Sequence, residues 1–218
     1  MELEIKICGL KTEQAVTAAL SGGASHIGFI FFPKSPRNVD VETAARLGRL
    51  ASGRAKAVAV TVNADDQTLE RIVDIVQPDV LQFHGSESPE RLDDIKKRYG
   101  LPVMKAISVR EAQDLLALSA YREVADRFLL DAKPPVGAQL PGGNGIPFDW
   151  SLLASLDGEV DYMLSGGLNA ANIAEALAIA RPRGIDISSG VERAPGEKDP
   201  DLIRAFFTAV QAARGERE

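Results

Sequence analysis

Cysteine occurs once in this chain, at Cys8 in the run KICG, and the residue two places before it is Lys6. If EIKIC forms a strand, side chains two apart share a face about 6.5 Å apart along it, and an ammonium there favours a thiolate. Cys8 can then act as nucleophile or base, although a lone cysteine also serves as a small buried filler, and Lys6 has a structural alternative too. Asp131 stands near the end of another apolar run, RFLLDA. Burial beside apolar strand residues raises a carboxyl's pKa, which would let Asp131 keep a proton for general-acid work; an aspartate at a strand end also suits a turn or cap. A thiol and a carboxyl of this kind make a base and acid pair.

Three further stretches are rich in glycine: PGGNG with Gly143, Asn144 and Gly145, SGGLN with Gly166 and Gly167, and SSGVE with Ser189 and Gly190. Glycine lets backbone N–H groups approach an anion closely, and a helix starting after the second stretch adds its positive end. A solitary glycine pair would read as a turn, but recurrence in consecutive loops fits a phosphate cradle. Arg37, in KSPRN, carries a planar fork suited to a carboxylate, with a solvated loop arginine as the plain alternative. Gln82 and Asp186 sit near strand ends, where they could bind sugar hydroxyls or satisfy hydrogen bonds inside a barrel. The two histidines, His26 and His84, lie far apart without the spacing of a metal site, so no metal is expected. His84 reads as a polar rim residue and His26, at a strand start, as structural.

The elements that must position these groups follow from hydrophobic periodicity. Eight β-type runs are legible: EIKIC, HIGFIFF, AVAVTV, VLQFH, PVMKAI, RFLLDA, DYMLSG and GIDISS. They begin roughly 20 to 35 residues apart, the length of a strand and a returning helix. Asp66 is placed to cap a helix with Leu69, Ile72, Val73 and Val76 on one stripe; Thr12 precedes another, closed by Gly22 and Gly23, and Asn169 a third. After the second strand the helical pattern resumes only near Asp40, so PKSPRNV is a long loop opposed to regular structure by Pro33 and Pro36. The segment DPDLIRAFFTAVQAA is the last helix, and ARGERE a solvated end. Eight strand–helix pairs suit an α/β fold, either a closed (β/α)8 barrel or an open doubly wound sheet. In a barrel, Cys8, His84, Asp131, Ser165 and Ser188 would all fall on one rim at the strands' C-terminal ends.

Composition bounds the rest. At 218 residues with 45% hydrophobic content, the chain fits a single domain spanning 1–218. No apolar stretch approaches the ~20 residues of a membrane helix, and the start lacks a signal-peptide pattern. A lone cysteine builds no internal disulfide framework, so a reducing cytoplasm is the expected location. A net charge of −6 argues against nucleic acid or an anionic membrane as partner, and any anionic ligand must be held by local groups. Both a monomer and a homodimer are compatible with these features.

In order along the chain, KICGL, GFIFFPKSPR, LQFHG, LPVMKAI, LLDA, FDW, LSGGLN, GIDISSGVE and PGEKD resemble the motifs of the phosphoribosylanthranilate isomerase family, over nearly the whole length. Each motif is weak alone; together and in order they are specific. The resemblance implies a (β/α)8 TIM barrel that isomerises N-(5'-phosphoribosyl)anthranilate in tryptophan biosynthesis by an Amadori rearrangement without a cofactor, acting on a small phosphosugar. It implies Cys8 as general base, Asp131 as general acid, Arg37 on the anthranilate carboxylate, and Gly143, Gly166, Gly167 and Gly190 around the phosphate. The family commonly has Gly-Gly-Thr-Gly where this chain reads GGNG, so Asn144 substitutes an amide that also hydrogen-bonds an oxyanion. LNAAN lacks the proline often found at that helix start, which leaves Asn169 free to cap. A related isomerase of histidine biosynthesis would carry a first-strand aspartate in place of Cys8. A non-catalytic phosphosugar-binding barrel would need neither Cys8 nor Asp131.

Overall fold

Eight parallel strands close on themselves in the computed structural model, in the order of the chain: β1 (Glu4–Cys8), β2 (His26–Phe31), β3 (Lys56–Thr61), β4 (Val80–Phe83), β5 (Val103–Val109), β6 (Arg127–Ala132), β7 (Tyr162–Leu164) and β8 (Gly184–Ile187). The structure describes residues 3–135, 137, 142, 145, 147–156, 158 and 160–215. Closure is made by β1 against β8, with Glu4 opposite Gly184 and Lys6 opposite Asp186. The barrel, and not the open sheet, is the fold.

Alternation along each strand divides the apolar residues between two cores. Val58, Val60, Val80, Met104, Ala106, Leu129 and Met163 pack with Cys8 in one cluster, the barrel interior. Ala57, Ala59, Leu81, Phe83, Leu130 and Leu164, their neighbours in sequence, join a larger cluster with the surrounding helices. A strand buried on both faces has to be apolar at nearly every position, as these runs are.

The outer elements are α1 (Glu13–Gly22), α2 (Val41–Ala51), α3 (Asp66–Val76), α4 (Pro89–Tyr99), α5 (Leu118–Tyr121), α6 (Ile173–Ala180) and α7 (Pro200–Gly215). Their ends follow local chemistry. Thr12 accepts from Ala15 N at the start of α1, Gly23 closes it with φ of 95°, and Asp40 accepts from Thr43 N at the start of α2. Asp65, not Asp66, caps α3 by accepting from Thr68 N, because the cap must lie outside the first helical residue. Asn169 Oδ1 accepts from the amides of Ala171 and Asn172, one turn ahead of α6.

Strand and helix do not alternate uniformly. After β5 a 3₁₀ turn (Ala112–Ala117) precedes the one-turn α5, and between β6 and β7 the described residues contain only a 3₁₀ stretch, Trp150–Ser155. Four prolines and several glycines between Lys133 and Trp150 remove donors and loosen the backbone, which opposes an α-helix there. After β8 the chain makes a short antiparallel hairpin, β9 (Glu192–Ala194) with β10 (Glu197–Lys198), before α7. Arg214 and Gly215 belong to α7, whereas residues 216–218 of the expected solvated end lie outside the described residues.

The first and last helices pack together at Gly22, where an added Cβ would lie 2.1 Å from Phe207 Cδ2. Phe207 is buried, so it has little room to yield. Gly22→Ala should therefore destabilise the protein by about 1–3 kcal/mol through overpacking, against the gain alanine ordinarily brings to a helix. A lowered urea midpoint at unchanged slope is the expected reading; an unchanged or raised midpoint would show that α7 moves aside freely.

Candidate active site

A pocket opens at the C-terminal ends of the strands and takes residues from several of them: Cys8, Gln82, His84, Asp131, Ser165, Asp186 and Ser188 all line it. Its apolar wall comes from Ile30, Phe32, Val60, Val62 and Leu168. The rim expected from the strand ends is thus a single concave surface.

The thiol sits over a buried ion pair. Lys6 Nζ donates to Asp186 Oδ1 at 2.9 Å, with the lysine side chain wholly inaccessible and that of the aspartate 5% exposed. Pairing of β1 with β8 puts the two residues side by side, so register makes the contact. Burial works against the Lys6 charge, but Asp186 and then Cys8 outweigh it and hold its pKa above the usual lysine value. Burial also acts on Cys8 and pushes the thiol up; Lys6 opposes this, and Lys198 does so more weakly. Lys6 thus opposes the effect of burial on the thiol without reversing it, and its direct partner is Asp186. The neighbouring strand leaves room for both groups: Gly28 pairs with Cys8 across β1 and β2, and an added Cβ there would lie 3.0 Å from Cys8 Sγ and 3.1 Å from Lys6 Nζ.

Across the pocket stands Asp131, 4% exposed. Its Oδ1 accepts from Ala132 N at 3.0 Å, and Oδ2 lies 3.3 Å from His84 Nε2, off the line of a hydrogen bond. Gln82 Nε2 approaches His84 Nδ1 at 3.4 Å; with the amide donating, the ring proton is on Nε2, toward the carboxylate. Gln82 Oε1 is buried without a hydrogen-bond partner among the described residues. Gly142 lies directly over this group, since a Cβ on it would meet Asp131 Oδ2 at 2.5 Å and His84 Nε2 at 2.8 Å. His26 is on the same barrel face but outside the pocket, at the strand start; burial pulls it down to about 4, and Ser25 Oγ meets its Nδ1 at 2.9 Å.

The glycine loops converge on the side of β7 and β8. Gly166 and Gly167 have φ of 88° and 65°, and both line the pocket with Ser189. Gly190 is packed so closely on the Leu168 carbonyl that a Cβ would come within 2.0 Å, while Gly145 approaches Ser189 Oγ. Asn169 and Asn172 both donate to Gly167 O, at 3.3 and 2.9 Å, and brace the turn before α6. Gly143 and Asn144 lie outside the described residues.

Arg37 is buried, contrary to the solvated-loop alternative, and lines the pocket. Its Nε and Nη2 each donate at 2.8 Å to the two oxygens of Glu192, so one edge of the expected carboxylate fork is already occupied by the protein. Lys198 Nζ meets the same carboxylate and also donates to Ser188 O at 3.1 Å and Ser188 Oγ at 3.2 Å. Burial works against the Glu192 charge, but Arg37 and Lys198 outweigh it and keep the carboxyl below its usual range. Neither Glu192 nor Lys198 emerges from sequence reasoning as a site residue. Their only signal is that both fall in charged motifs, SSGVE and GEKD, in the connection after the last strand.

Among the described residues no group of three or more His, Cys, Asp or Glu side chains could hold a metal ion, and no helix is long and apolar enough to cross a membrane. The family model for N-(5'-phosphoribosyl)anthranilate isomerase matches residues 5–209. The chain belongs to this family. An N-(5'-phosphoribosyl)anthranilate isomerase of Chelativorans sp. (strain BNC1) is 80% identical over 218 residues, the full length of both chains. The phosphoribosylanthranilate isomerase of Thermotoga maritima superimposes with a TM-score of 0.86 at 35% identity, covering 98% of this chain and 100% of that one. A phosphoribosylanthranilate isomerase in complex with reduced 1-(o-carboxyphenylamino)-1-deoxyribulose 5-phosphate gives 0.84 at 32% identity, covering 97% and 100%.

Within this isomerase fold, the position of Lys6 implies a measurable dependence of the thiol on its neighbour. Removing the ammonium deletes the strongest influence favouring the thiolate and leaves Asp186 unpaired nearby. Lys6→Met should move the Cys8 titration, followed by ultraviolet thiolate absorbance, to higher pH than in the wild type. A thiol that titrates at the same or lower pH in this variant would remove Lys6 from the account.

Proposed function

We propose that the chain, as one barrel domain over residues 1–218, converts N-(5'-phosphoribosyl)anthranilate to 1-(2-carboxyphenylamino)-1-deoxyribulose 5-phosphate in tryptophan biosynthesis, with Asp131 as acid and Cys8 as base. The observation that carries this reading is the placement of Cys8 and Asp131 in one pocket, on β1 and β6, beside a glycine cradle.

Asp131 donates its proton to the furanose ring oxygen as the bond from that oxygen to C1' breaks, and the anthranilate nitrogen becomes a cationic Schiff base. The positive nitrogen acidifies the hydrogen on C2', and the Cys8 thiolate removes it to give an enolamine. Return of a proton to C1' and loss of the C2' hydroxyl proton produce the aminoketone. One acid and one base complete the sequence. The cation formed in the first step lies where a thiolate is needed in the second, so it adds to the pull of Lys6 on a thiol that burial has pushed up.

The remaining groups position. Backbone amides around Gly143, Gly145, Gly166, Gly167, Ser189 and Gly190, with Asn144, hold the phosphate at the turn before α6. Arg37 meets the anthranilate carboxylate from the pocket side, the ring resting on the wall of Ile30, Phe32 and Val62. Gln82 Oε1 and His84 supply polar contacts to the sugar, while Lys6 and Asp186 act from beneath the thiol. Holding the reacting centre between two anchored ends supplies a large share of the rate.

Purified protein should consume phosphoribosylanthranilate with loss of anthranilate-type fluorescence, and no turnover would defeat the assignment. Cys8→Ala and Asp131→Asn should each lower kcat by about two to four decades, as loss of a positioned base or acid does. Near-normal turnover in both would overturn their roles. Because the active form of Cys8 is the thiolate and its pKa is raised, kcat/KM should climb with pH into the alkaline range. Lys6→Met should carry that limb to still higher pH, whereas a limb that stays in place would separate Cys8 from the proton-removal step.

A further inference from the structure

The cluster that holds Arg37 does not balance its charges. Glu192 takes Arg37 through two parallel hydrogen bonds of 2.8 Å, a planar pair that is neutral as a unit. By itself such a pair gives a second carboxylate little net attraction. Lys198 alters the sum: burial pulls its pKa below the usual lysine value against the opposing pull of Glu192, and with the ammonium on that glutamate the three side chains carry two cations and one anion, a single net positive charge among the described residues of the cluster. The side chains of all three residues are at most 5% exposed, so solvent screens that charge poorly. Lys198 meets acceptors at Glu192 Oε1, Ser188 O and Ser188 Oγ, as an ammonium requires. The other buried pairs, Lys6 with Asp186 and Lys105 with Glu87, are balanced one to one, and Lys11 is half-buried and donates to Pro36 O.

We propose that Lys198 is the specificity-determining residue for the ligand's carboxylate: it supplies the net charge that lets the Arg37–Glu192 pair accept a second carboxylate in the pocket. It also joins that charge to the strand bearing the thiol. Lys198 donates to Ser188 Oγ, and the same hydroxyl donates to Cys8 O at 3.1 Å. The carboxylate end and the base end of the pocket are therefore braced by one side chain. The inference rests on Arg37 as the contact for the anthranilate carboxylate, so its test has to separate the two readings.

The decisive measurement is the dissociation constant, by titration calorimetry, of two stable ligands: reduced 1-(o-carboxyphenylamino)-1-deoxyribulose 5-phosphate and its phenylamino counterpart without the ring carboxylate. Wild type should prefer the carboxylated ligand. If it does not distinguish them, the role of Arg37 fails and this proposal fails with it. Given that preference, K198M should reduce it by about tenfold or more, the scale for loss of one member of a buried charge group, with affinity for the other ligand unchanged. K198R should retain it. K198M/E192Q again has a single net positive charge and should recover most of it, a rescue that a purely structural lysine would not show. Should K198M not fold, E192Q should exceed the wild-type preference and K198M/E192Q should fall back to about the wild-type value; an equal preference in these two variants would overturn the proposal. A carboxylate preference unaffected by removing Lys198, or lost in K198M and not recovered in the double variant, would overturn the proposal while leaving Arg37 in place.

Discussion

A charge taken out of water has to be met by another, and this requirement shapes the mouth of the barrel more than any other. The buried Lys105–Glu87 pair meets it outside the pocket, and two groups meet it at the pocket: Lys6 with Asp186 beneath the thiol, and Arg37 with Glu192 and Lys198 at the wall. Neither can form until the sheet closes, because their members come from the first and last thirds of the chain. Register between β1 and β8 is thus an electrostatic condition as well as a hydrogen-bonding one. A slip by one residue would turn Lys6 into the helix-packed layer and leave Asp186 buried alone.

Apolar packing fills the middle of the barrel, and the ion pairs of the pocket lie toward the C-terminal ends of the strands. Toward the middle of the barrel the inward side chains are Val58, Val80, Met104, Leu129 and Met163, which fill the interior and carry no charge. Polar residues collect one layer higher, where the strands end and the loops begin. The pocket residues therefore rest on a packed floor, and at Gly28 and Gly142 a missing side chain leaves room for Cys8 and for Asp131. The connections are uneven: a 3₁₀ turn and a single helical turn follow β5, the described residues between β6 and β7 contain only a 3₁₀ stretch, and a hairpin precedes α7.

Much of this is legible in the sequence, for identifiable reasons. Strands buried on both faces announce themselves as apolar runs, and caps such as Thr12, Asp40 and Gly23 are chosen by backbone geometry that local residues control. Cys8, Asp131 and the glycine loops stand out because they occupy strand ends where a purely structural chain would have no need of them. Periodicity could not separate a closed barrel from an open sheet, since closure depends on the register of β1 with β8, a contact distant in sequence. The same distance hid Glu192 and Lys198: a hairpin of five strand residues has no periodic signature, and a charged side chain in a loop reads as solvated until the fold buries it. It also concealed that Arg37 has a protein partner and that Lys6 leans on Asp186.

The separation of Lys6 and Asp186 by 180 positions bears on how the molecule is made. The strand with the thiol and the ammonium is synthesised well before the strand whose carboxylate matches that ammonium. Through that interval Lys6 can remain hydrated on an open sheet edge, and the nascent amino-terminal strand lacks the partner that later dries it. Chemical competence thus arrives late and all at once, when the eighth strand docks, so a ribosome stalled before that point would hold a chain with its thiol in place and no enclosed chamber around it.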